Sequence, residues 1–218
     1  MLMKKLTLFV LCLFTSGLAF AQKDELLFVF LNKRNDLPEL PKAEVDKIME
    51  GHMANINAMA KDGRLLVAGP FEGGGGIFIL KTGSVEEAKQ WLANDPGVKA
   101  ERWRLEYLPI SFRAGKTCTA PEPYEMVSYH FVRYGLTLTK FNVQQASNTL
   151  RKHEEHMKSL IKTGNVIAEA SFGDEEGSIL IMKGDLDQRV VEASPAVQEQ
   201  LFEIQIKKLW IAKGSFCE

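Results

Sequence analysis

The sequence predicts an α+β protein in which one β-α-β-β-α-β unit occurs twice, and three observations carry that expectation. The segment His52 to Gly63 is answered by His153 to Gly164, each position 101 residues further on. After each glycine comes a strand-like run, Arg64 to Phe71 and Asn165 to Phe172, then a glycine- or acid-rich turn and a second run, Ile77 to Leu80 and Ile179 to Met182. The correspondence ends with Asp95-Pro96 against Ser194-Pro195, at an offset of 99.

The elements follow from periodicity. Leu26 to Leu31 is a continuous apolar run of strand length. From Lys42 to Asp62 the apolar positions Val45, Ile48, Met49, Met53, Ile56, Met59 and Ala60 recur at three and four, which describes one helix face, and Gly63 stops the helix. Arg64 to Pro70 and Gly76 to Lys81 form a hairpin across a glycine-rich turn. Ser84 and Glu87 have the spacing of a capping box opening a second helix, which Asp95-Pro96-Gly97 should close. A last strand spans about Glu101 to Phe112. The second copy repeats this with a strand from Glu125 to Tyr134, a helix over Phe141 to Thr163 and the hairpin. A weak helix over Asp185 to Ser194 and a strand near Leu201 to Ala212 complete it. This is the split β-α-β order of the ferredoxin-like plait. The runs Leu26 to Leu31 and Ile179 to Met182 do not alternate, so both sheet faces should be buried, and the natural cover for one copy's sheet is the other's. The chain reads as a covalent pseudo-dimer.

The first 21 residues stand outside that scheme. Lys4 and Lys5, an apolar run from Leu6 to Phe14 and the small residues ending Ala19-Phe20-Ala21 have the order of a secretory signal cleaved after Ala21. The run is short for a membrane anchor. Expected boundaries are therefore 1–21 for the signal, 22–112 and 125–218 for the two domains, and a turn-rich linker over 113–124. Taking residues 1–21 from the 218 leaves 197, with 25 basic against 28 acidic residues, a net charge of −3. No basic field remains for nucleic acid, and nothing binds the mature protein to a membrane. Export places the chain in the periplasm or outside the cell. Cys12 leaves with the signal, so Cys118 and Cys217 remain. In the plait order one precedes the first strand of the second copy and the other follows its last strand. The two should form a disulfide in an oxidising compartment.

His52 falls on the apolar stripe of its helix, and His153 holds the matching place in the second copy, where it is expected to be structural or a minor ligand contact. A neutral imidazole beside a carboxylate is a suitable general base, and Asp95 is the candidate partner. The glycines at Gly69 and Gly73 to Gly76, with Pro70, could bring backbone amides to an anionic group, or simply form a hairpin tip. His153 and His156 lie on neighbouring turns, a weak metal-binding pattern beside two glutamates. Gly115-Lys116-Thr117 lacks the first glycine of a phosphate loop, since Ile110 stands there.

The ordered set His52, Gly63-Arg64-Leu65-Leu66-Val67-Ala68-Gly69-Pro70, the glycine-rich turn, Glu86 to Leu92 and Asp95-Pro96 resembles the YciI (YCII-related) family over nearly all of residues 26–112. Residues 125–213 are similar but worn, with Ala170-Ser171 in place of Gly-Pro. The resemblance implies a dimeric α/β barrel of ferredoxin-like units, with a site centred on a His/Asp pair that falls on His52 and Asp95. Ser194 replaces the acid beside His153. A further family histidine is Asn55 in the first copy and His156 in the second. The implied chemistry is cofactor-independent acid/base catalysis, of lyase or isomerase type, on a small organic molecule, with the first copy active. The alternative is a non-catalytic small-molecule-binding or structural protein of the envelope. The active pair would sit where the sheet of one half meets the other, in a chain that is monomeric because its two halves already make the dimer contact.

Overall fold

The computed structural model describes residues 25–137, 143–173 and 177–217. The expected signal lies outside them. The first half runs β1 (Leu26–Lys33), α1 (Lys42–Lys61), β2 (Leu65–Pro70), β3 (Gly76–Leu80), α2 (Val85–Leu92), α3 (Pro96–Lys99) and β4 (Trp103–Ala114). A two-residue strand, β5 (Lys116–Thr117), leads on to β6 (Met126–Leu136), α4 (Val143–Ile161), β7 (Val166–Phe172) and β8 (Ser178–Met182). Then come α5 (Gln188–Glu192), α6 (Pro195–Gln198), β9 (Phe202–Ala212) and β10 (Phe216–Cys217).

Two boundaries differ from the sequence expectation for physical reasons. Asp95 does not close the second helix; α2 ends at Leu92, and Asp95 starts α3 as its N-cap, with Pro96 at the first helical position where its missing N–H costs nothing. The expected linker begins inside a strand. β4 continues through Ala114 because Ser111, Phe112 and Ala114 pair with Ser171, Ala170 and Glu169 of β7. The capping box at α2 is half made by its own pair: Ser84 Oγ accepts from the Glu87 N–H at 3.2 Å, while Glu87 takes the Thr82 hydroxyl and Thr82 Oγ1 accepts from the Ser84 N–H.

Eight strands form one antiparallel sheet in the order β2-β3-β1-β4-β7-β8-β6-β9. The halves were expected to meet face to face; they also join edge to edge through β4 and β7. The sheet curls until its outer strands touch. Phe71 bridges Leu209, and the Glu72 N–H donates to Lys208 O at 2.9 Å. Gly69 makes that approach possible, because a Cβ there would lie 2.8 Å from Trp210 O and 3.0 Å from Leu209 Cδ1. Closure leaves no long unpaired edge at this seam for another chain to pair with.

The curl encloses an apolar core drawn from both halves. Phe28 and Phe30 of β1 meet Phe131 and Phe172 of the second half with ring centroids 5.3 to 6.2 Å apart. At one end Arg133 lies 4.3 Å over the Phe30 ring and forks onto Glu106 of β4 at 2.6 and 2.9 Å. The outer faces are covered by helices. Leu27, Val29, Phe78 and Leu80 pack on Met59 and Leu92, and Val132, Leu180 and Met182 pack on Met157, Leu160 and Val191. This explains why β1 and β8 read as unbroken apolar runs: one side faces the shared core and the other its own helices. β5 and β10 pair outside the main sheet, and Cys118 and Cys217 are disulfide-bonded with Cα atoms 5.8 Å apart.

Because the atoms crowding Gly69 include backbone, an added methyl cannot be accommodated by a side-chain turn. Gly69→Ala is expected to lower stability by about 1–3 kcal/mol, read as a fall in the urea midpoint at constant m.

Candidate functional site

His52 is placed by α1, and α1 is placed by a close approach to α3. A Cβ at Gly51 would lie 2.6 Å from Pro96 Cγ, so glycine lets the helix settle against the proline. That contact brings His52 Nδ1 within 2.8 Å of Asp95 Oδ2. Asn55, one turn on, donates to the same oxygen at 2.9 Å. The other oxygen, Oδ1, accepts from the N–H groups of Gly97 at 2.9 Å and Val98 at 3.2 Å, which is the N-cap of α3. One carboxylate thus holds a helix end and an imidazole at once. Burial pushes the Asp95 carboxyl up, but the His52 hydrogen bond and charge, the Asn55 amide and the Val98 N–H outweigh it and hold the group below the ordinary carboxylate range. An ionised Asp95 accepts the Nδ1 proton, so a neutral His52 ring presents Nε2 as a bare acceptor.

The surroundings correct the expected location. His52 is 5% exposed and Asp95 fully buried. The ring lies 4.7 Å from Trp103 and stacks at 5.9 Å on Phe78, between α1 and the outer face of the first half's sheet rather than where the two halves meet. Gly97 makes room for the indole, since a Cβ there would strike it at 2.1 Å.

The second half repeats the arrangement with different chemistry. His153 Nδ1 is 2.7 Å from Ser194 Oγ, and Ser194 stands at the start of α6 as Asp95 does at α3. The ring sits edge-on to Phe202 at 4.9 Å and to Tyr134 at 5.1 Å. The smaller Phe202 at the place of Trp103 leaves room for Ala196 at the place of Gly97. Burial pushes His153 down to about 4, with Arg113 and His156 adding to it and Glu154 opposing. The ring is neutral near pH 7.

The remaining candidates fall elsewhere. Gly69 faces the β9 backbone, where it serves closure of the sheet, and Pro70 is exposed next to it. His156 is hydrogen-bonded at the Val190 backbone, and His153 uses Nδ1 on Ser194; among the described residues no three metal-ligating side chains come together. Sequence reasoning missed Asn55 as a partner of Asp95, although its i+3 spacing from His52 was a usable signal. It also missed Arg113, which was assigned to the linker. Arg113 forks onto Glu169 of β7, which is 1% exposed, and holds Glu154 of α4.

Residues 26–108 match the family model of the YCII-related domain. No curated protein matches the chain. Among solved structures it is similar to a proposed monooxygenase from Fusobacterium nucleatum subsp. nucleatum, with a TM-score of 0.48 and 8% identity over 88% of this chain and 94% of that one. It is also similar to a mutant chlorite dismutase from Candidatus Nitrospira defluvii solved with cyanide, with a TM-score of 0.48 and 10% identity over 89% of this chain and 93% of that one. Overlaps this remote say nothing of chemistry.

A depressed histidine gives stability that is fully present above its unfolded pKa and is lost as pH falls toward its folded value. For His153 that window runs from its ordinary value of 6.5 down to about 4. Between pH 7 and 5 the protein should lose about 2 kcal/mol through this group. His153→Gln should flatten that part of the profile, checked by urea unfolding at both pH values.

Proposed function

We propose that this chain is an exported small-molecule enzyme of acid/base type, lyase- or isomerase-like, with His52 Nε2 as the base and Asp95 as the group that fixes its tautomer and stabilises the imidazolium. The observation that carries the reading is the 2.8 Å bond between His52 Nδ1 and Asp95 Oδ2, with that carboxylate held by Asn55 and two backbone N–H groups. Such support keeps the pair in one geometry, which acid/base catalysis requires. The match of residues 26–108 to the YCII-related domain supports it. In this reading residues 125–218 are a second, degenerate copy, and one chain makes the α/β barrel that single-unit relatives make as dimers. The identical order of elements in the halves and the shared core favour this. The chain is then a monomer, cleaved after Ala21.

A second reading makes the pair structural, a lock between α1 and α3. The 5% exposure of His52 favours it. Native mass spectrometry of the purified mature protein for co-purified small molecules, followed by turnover assays on what is found, separates the two. If the enzyme reading holds, His52→Ala and Asp95→Asn each lower activity by roughly 10²-fold or more while the protein stays folded. If they cost stability and no turnover is found, the pair is structural.

Half of the curled sheet should not stand alone. Residues 22–115 expressed by themselves are expected to self-associate or aggregate through the uncovered face bearing Phe28 and Phe30, whereas the mature chain elutes as a monomer in light scattering. A soluble monomeric first half would refute the internal pseudo-dimer.

A further inference from the structure

A cavity of about 240 Å³ opens in the second half, lined by Arg113, Leu150, His153, Glu154, Ser178 and Phe202 among others. Two of the lining residues each carry a buried polar atom without a hydrogen-bond partner, His153 Nε2 and Ser178 Oγ. Each residue is 3% exposed. An orphaned buried polar atom costs about 1–3 kcal/mol, and native proteins leave few of them. The imidazole cannot turn away to find a partner, because Nδ1 is tied to Ser194 and the ring is packed between Tyr134 and Phe202.

We propose that this cavity binds a small uncharged molecule with an apolar body and a hydroxyl group, the hydroxyl meeting His153 Nε2 and Ser178 Oγ. Size, charge and hydrogen bonding point the same way. The volume is below the roughly 300 Å³ at which drug-sized ligands are held, so the occupant is smaller. All three nitrogens of Arg113 are taken by Glu169 and Glu154, so among the described residues the ionic groups here sum to one negative charge and no cation is free for an anionic ligand. An ammonium would have to shed its water beside Leu150 and Phe202 with Glu154 already engaged. A hydroxyl both donates and accepts, so it satisfies Nε2 in either tautomer and Ser178 as well. Arg113 comes from β4, so the first half supplies part of the wall and the site needs the whole chain. The inference is independent of any activity at His52.

The test uses the full mature chain with benzyl alcohol as probe, benzoate and benzylamine as its charged counterparts, and the histidine ring nitrogens as NMR reporters. Benzyl alcohol should saturate in the millimolar range and move the His153 Nε2 resonance, leaving the His52 ring unmoved. Ser178→Ala should weaken it by about 3- to 10-fold, with Ser178→Cys, whose thiol is a much weaker donor and acceptor, as the second variant if the alanine protein does not fold. Both charged probes should bind at least about tenfold more weakly. No saturable shift at His153, equal binding of benzoate or benzylamine, or binding unchanged by substitution at Ser178 would each overturn the proposal.

Discussion

Neither set of four strands can bury its inner face without the other, and that constraint organises the molecule. Phe28 and Phe30 have their ring partners in Phe131 and Phe172, across the halves. The polar groups at the rim obey the same rule. Arg133 finds its carboxylate on β4, and the buried Glu169 finds its guanidinium there too. Removing either arginine would leave a carboxylate short of its partner, most severely Glu169, where a broken buried pair is far more costly than its intact presence is stabilising. The halves are therefore interdependent in charge as well as in apolar surface.

On the outer faces the same device appears twice: a long helix presents an imidazole to the residue that starts a short proline-led helix. In the first half that residue is a carboxylate whose two oxygens divide the work, one capping and one orienting His52. In the second it is a hydroxyl that reaches His153 but makes no side-chain cap bond to α6. The geometry of the device is the same while its electrostatics differ: the first partner is a carboxylate held below its ordinary range, whereas the second is a neutral hydroxyl beside a ring that burial pushes down. Asp95 therefore cannot be altered without touching a helix terminus, and asparagine, itself a good N-cap, is the substitution that best separates the two roles.

Much of this was legible in the chain. The recurrence of His52 to Gly63 as His153 to Gly164 located both imidazoles and both flanking strands, and Asp95 stood out because proline followed it. What the sequence could not show was direction. A histidine on an apolar stripe can lie between the halves or beneath its own helix, and only the packing of Trp103 and Phe78 places His52 in the second position. Gly69 carried a signal of close approach, but nothing in the chain said that the approaching group is the β9 backbone rather than a ligand. Arg113 sits among turn-forming residues, and its strand conformation comes from pairing with a segment more than fifty residues away, which local propensity cannot register.

The Cys118–Cys217 bond spans 99 residues, so the entire second half lies inside a covalent ring attached to the first half at one point. Tension applied at residues 25 and 217 would pass directly across that bond and bypass everything between. The covalent path between those ends therefore runs through the first half and the disulfide, the second half being loaded only through its contacts with the first, and a single peptide cleavage within the ring opens the chain without releasing a fragment.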